Sequence, residues 1–124
     1  MPQTVPGQNG GERWSRANAS IERRAAPREQ VLLPALLVEG VGTRRPCVIL
    51  DRSKGGLRIE LPTPEPVADT FAVVDLVSGV GHEAEVVWRH ASAVGLRTLR
   101  SYDLNAAQDG RGAELQQIWN AALR

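Results

Sequence analysis

At 124 residues the chain has room for one compact domain with a modest core, plus a tail. A formal net charge of +1 excludes a polyanion binder acting through bulk charge, so any hold on phosphate must come from local clustering. The single cysteine, Cys47, excludes an internal disulfide and a cysteine-based zinc site, and its apolar neighbours Val48, Ile49 and Leu50 make it a buried strand thiol.

In chain order, residues 1–20, "MPQTVPGQNGGERWSRANAS", are rich in Gly, Pro, Ser, Asn and Gln without a sustained period, and read as a flexible N-terminal tail. Trp14 is its one aromatic residue, expected to lie against the folded domain. The tail lacks the apolar core of a secretion signal. The longest apolar run, "VLLPALLV" at 31–38, is interrupted by Pro34 and too short to span a bilayer, so a cytoplasmic protein with no membrane insertion is expected. From Val31 onward short β segments alternate with turn residues: 31–38, then "RPCVIL" at 45–50, then "GLRIEL" at 56–61 with Leu57, Ile59 and Leu61 alternating with polar neighbours. The Pro-rich link "PTPEPVAD" leads to "TFAVVDLV" at 70–77, "HEAEVVWR" at 82–89 and "SAVGLRTL" at 92–99. Six short strands with short links predict a meander of mostly antiparallel pairs. Left open, such a sheet exposes two edges, so a small closed barrel is expected. The period then changes. In "RGAELQQIWNAALR", about 111–124, Leu115, Ile118, Trp119, Ala122 and Leu123 fall on one helical stripe, predicting a C-terminal helix that packs on an end or flank of the barrel with Trp119 in the core. The expected fold is therefore all-β with one C-terminal helix, a six-stranded antiparallel β-barrel over 21–124.

Two short stretches carry the chemistry. All of the 15 basic residues except Lys54 are arginine, whose planar fork suits bidentate contacts and stacking. "ERRAAPR" at 22–28 sets Arg24 and Arg28 four apart, and Pro27 disfavours helix at Ala26, so the segment reads as an extended arm ahead of the first strand. Arginine forks match phosphate oxygens and the O6/N7 edge of guanine, and their faces stack on purines. "DRSKGG" at 51–56 reads as an Asx-type turn in which Gly55 and Gly56 can take positive φ. As a site, Asp51 would accept from guanine N1–H and N2–H₂, Ser53 would bond a phosphate or base edge, and Gly56 would admit a ligand close to the backbone.

Arg24-x-x-x-Arg28 followed by Asp51-x-Ser53-x-x-Gly56 resembles the two-part signature of PilZ domains, bacterial receptors for cyclic di-GMP. "GLRIEL", "VVWR" at 86–89 and "VGLRTL" at 94–99 resemble the family too, and the likeness covers about 21–100. The resemblance implies a PilZ-like six-stranded barrel with cyclic di-GMP on its outer surface. Arg24 and Arg28 would grip guanine edges and phosphates, Asp51 and Ser53 would read guanine, and Gly56 would give room. It further implies that Arg23 accompanies an intercalated ligand dimer and that Trp88 and Arg89 stack on or bond the ligand. The arm departs from the family in placing Ala-Ala-Pro where members often have an aromatic. A receptor with no output domain implies a downstream effector protein, in bacterial motility, adhesion or biofilm control.

Other classes fit less well. His82 and His90 have no cysteine or glutamate at metal spacing, and Ser53, His82 and Asp75 come with no nucleophile elbow, so neither a metal site nor an enzyme is expected. An oligonucleotide-binding barrel would need exposed aromatics and a broad basic groove, against 4% aromatic residues here, so no DNA or RNA partner is expected. The remaining alternative is a PilZ-like adaptor with weak or no nucleotide binding.

Overall fold

The computed structural model describes residues 28–40, 42–63 and 65–124. The tail expected over 1–20, Trp14, Arg23 and Arg24 lie outside the described residues. Six strands, β1 (Glu29–Glu39), β2 (Thr43–Ser53), β3 (Gly56–Glu60), β4 (Thr70–Asp75), β5 (Val80–His90) and β6 (Ala93–Asp103), precede one helix, α1 (Gly110–Ala122). Arg28 and Ser53–Gly55 fall in one compact unit, and Glu29–Arg52 with Gly56–Arg124 in the other.

The strands close in the order β1-β2-β3-β6-β5-β4, a six-stranded ring with one C-terminal helix, as expected. The expected meander is corrected: β3 pairs antiparallel with β6, and β4 returns beside β1. Two three-strand meanders are thus joined at two seams. The cause is the link "LPTPEPVAD", whose prolines remove main-chain donors and prevent it from continuing as a paired strand. The link is held instead by scattered bonds. Leu61 N–H donates to Ser92 O at 2.9 Å, Arg45 donates to Glu65 Oε1 and Pro66 O at 3.0 Å each, and Ala68 N–H donates to Glu39 Oε2 at 2.8 Å.

Alternation along the strands sends Leu37, Ile49, Ile59 and Val73 into the interior, each with no exposed surface. Cys47 joins them, and burial pushes its thiol up to about 12. The run "FAVV" in β4 does not alternate, because both its faces are covered. Phe71 and Val73 face the barrel core, while Ala72 and Val74 pack with Val38, Leu104, Leu115 and Ile118 in a second cluster under α1. The helix therefore covers a flank. Its stripe is shorter than expected: Leu115 and Ile118 are buried, but Ala122 and Leu123 are exposed and Trp119 is half-buried. The last turn simply outruns the sheet beneath it. Trp119 Nε1–H donates to Leu76 O at 3.1 Å, and Gln116 Nε2 donates to Leu104 O and Ala106 O at 2.8 Å each, fixing α1 by polar contacts.

Two features of the barrel yield measurable expectations. Ala91, in the two-residue turn between β5 and β6, has φ 54°, a left-handed conformation that costs a Cβ-bearing residue about 1–2 kcal/mol. Glycine removes that cost but adds unfolded-state entropy of about 0.5–1 kcal/mol. Ala91→Gly should thus stabilise modestly, raising the thermal midpoint by a few degrees; a lowered midpoint would contradict this strain. His82 lies with Nδ1 3.1 Å from Ser101 Oγ, and burial lowers its pKa, outweighing the nearby Asp75 charge. A depressed folded-state pKa contributes stability that is present above the unfolded value near 6.5 and is lost as pH falls through the folded value. The midpoint should fall on acidification below that pH, and less in His82→Gln; equal slopes for both proteins would rule out His82 as the source.

Candidate functional site on the outer barrel face

Where β1 meets β2, Gln30 faces Asp51 and Glu29 faces Arg52. Asp51 is only 7% exposed. A buried carboxylate requires a partner, and Arg58 of β3 supplies one, its Nε–H donating to Asp51 Oδ2 at 2.7 Å. Arg52, the next residue along β2, is committed elsewhere: its Nε–H donates to Glu29 Oε1 at 2.9 Å and its Nη1 to Asp75 Oδ2 at 3.4 Å. Asp75 in turn is 1% exposed and accepts from the N–H groups of Val77 and Ser78 at 3.0 and 2.9 Å, closing the β4–β5 turn. Its role is architectural.

In the other unit, Arg28 is exposed and its Nη1 lies 3.4 Å from Ser53 Oγ, so the C-terminal end of the arginine arm meets the serine of the turn. Gly55 and Gly56 were expected to exploit positive φ, and neither occupies the left-handed region. Gly56 is needed for closeness instead. It faces Arg97 in the β3–β6 pairing, and a Cβ there would overlap the carbonyl oxygen of Leu96.

The β3–β6–β5 pairings extend the surface sideways. Arg58 faces Gly95 on β6, and Gly95 faces Trp88 on β5. A register shift between Val86 and Trp88 leaves Val87 as an extra residue, so Trp88 resumes pairing on the outer face. Its indole lies over Gly95, where any Cβ would overlap the ring, and the side chain is still 43% exposed. Asp51, Arg58, Gly95 and Trp88 thus form one row over four strands. Arg89 leaves this row: its Nη2 donates to Asp69 Oδ1 at 3.0 Å and lies 3.5 Å from Val67 O, on the proline-rich link. Arg97, one step along β6, pairs with Glu85.

Arg58 was not singled out in the sequence, although the signal was present. Arg58 stands just across the short turn at Lys54–Gly55 from Asp51, an opposite charge within reach of it. Among the described residues no group of three or more His, Cys, Asp and Glu side chains could hold a metal ion, and no helix is long and apolar enough to cross a membrane.

A family model described as PilZ domain matches residues 22–109, covering both motif stretches and all six strands and ending one residue before α1. No curated protein matches the chain.

Proposed function

Because this chain belongs to the PilZ domain family, whose members are known for binding cyclic di-GMP and are generally non-catalytic, we propose that it is a non-catalytic cyclic di-GMP receptor. The observation that carries the reading is that the family match takes in both halves of the signature, Arg24-x-x-x-Arg28 and Asp51-x-Ser53-x-x-Gly56. In this reading Arg23, Arg24 and Arg28 grip phosphates and guanine edges, Asp51 and Ser53 read guanine, and Trp88 offers a stacking face. The contact of Arg28 with Ser53 supports a shared role for arm and turn. Arg89 is the least suited of the expected ligand residues, being occupied at the link.

The magnitudes are compatible. Micromolar affinity needs about 8 kcal/mol, and charge-assisted hydrogen bonds contribute about 1.5–3 kcal/mol each. Four or five such contacts with stacking reach that value after the cost of ordering the arm. Binding would signal by fixing the arm and altering the surface offered to an effector protein. Calorimetric titration with cyclic di-GMP, using GTP and cyclic di-AMP as controls, tests the function. Saturable binding of cyclic di-GMP alone is expected, and hydrogen exchange over 10–30 should slow in the complex. A chain that binds none of the three would instead be read as an adaptor.

A further inference from the structure

Building on the cyclic di-GMP reading above, the geometry points to Arg58 as a residue that sets guanine specificity, by holding Asp51 in place and by donating to the base itself. Guanine's Watson–Crick edge presents, in order, two donors (N2–H₂ and N1–H) and one acceptor (O6). A carboxylate alone complements only the two donors. The structure places a guanidinium directly beside that carboxylate, bonded to it at 2.7 Å through Nε. The pair therefore brings carboxylate acceptors and a guanidinium donor side by side, the kinds of group that the guanine edge requires. Adenine, with an acceptor at N1 and a donor at N6, meets this surface with like groups opposed and leaves buried polar atoms unpaired.

Three further observations fit this role. Arg58 is 41% exposed along its side chain while Asp51 is almost covered, so the pair has one anchored and one accessible member. Only Nε of Arg58 is engaged with Asp51, and its terminal nitrogens make no other hydrogen bond among the described residues. The next position in the row is Gly95, whose missing side chain leaves the strand surface flat as far as the indole of Trp88. With adjacent strands about 4.8 Å apart, the row from Asp51 to Trp88 spans about 14 Å, room for a purine lying between the polar pair and the aromatic edge.

The test is a comparison of Arg58→Met, which keeps the apolar stem but removes the donor, with Arg58→Lys, Asp51→Ala and the double variant Arg58→Met/Asp51→Ala. Affinities for cyclic di-GMP and cyclic di-AMP are read by calorimetry, and folding by thermal unfolding. For Arg58→Met, cyclic di-GMP affinity should fall about tenfold or more while cyclic di-AMP affinity does not fall, so the preference for guanine collapses. Arg58→Lys, with a point charge in place of the fork, should be intermediate, and it carries the test should Arg58→Met not fold. The double variant should be little worse than Asp51→Ala, because the two side chains act as one unit. Parental selectivity in a folded Arg58 variant overturns the inference, as do equal losses for both nucleotides or fully additive losses. Those outcomes leave the receptor reading standing, whereas a parental protein that ignores cyclic di-GMP removes both.

Discussion

Replacing Arg28 by alanine is expected to weaken cyclic di-GMP binding about tenfold or more while leaving the thermal midpoint unchanged. The two halves of this expectation have separate grounds. Arg28 is exposed, and truncating an exposed side chain shifts stability by no more than about 0.5 kcal/mol in the usual case. A guanidinium that closes on a phosphate or on guanine O6/N7 contributes about 1.5–3 kcal/mol, and about 1.4 kcal/mol is a factor of ten. Arg28→Lys sharpens the result. A phosphate contact tolerates the point charge, but a bidentate contact with a base edge does not. Unchanged affinity in Arg28→Ala by calorimetry would remove the arm from the binding site.

Gly56→Ala should act in the opposite manner, on the barrel before the ligand. The added Cβ overlaps the carbonyl oxygen of Leu96, which is main chain and cannot turn aside as a flexible side chain would. The β3–β6 seam must open locally, and overpacking of this kind costs about 1–3 kcal/mol. For a domain of this size each kcal/mol lowers the midpoint by about 4–8 °C. The measurement must be made without nucleotide, because binding will fall as well and for a purely structural reason. A ligand-free midpoint equal to the parent would return Gly56 to the role first expected for it, a place where ligand approaches the backbone.

That glycine illustrates how much of the molecule was legible in the sequence. Alternation and turn residues located all six strands and the helix, since each depends on near neighbours. Strand order was not legible in the same way. It depends on where the link from Leu61 to Asp69 delivers β4, and that is decided by bonds to Arg45, Glu39 and Ser92, residues far away in the chain. The helix stripe was overextended because periodicity shows which residues share a face and not where the partner surface ends. In the candidate site, Asp51 stands out by its motif, but its partner Arg58 requires the chain to be followed across the turn. For Trp88 the sequence offered only the family resemblance, since the register shift at Val87 that turns it outward has no residue signature.

The closed ring limits how another protein can engage this one. Where β1 is joined to β4 over Ala35–Val38 and β3 to β6 over Gly56–Glu60, the seams leave no open edge for a visiting segment to annex. Recognition by strand addition, one way for an extended peptide to dock on a β-sheet, has no purchase at those two seams. On the receptor reading proposed above, an effector protein would meet side chains there, and side chains are what a bound nucleotide can cover or rearrange.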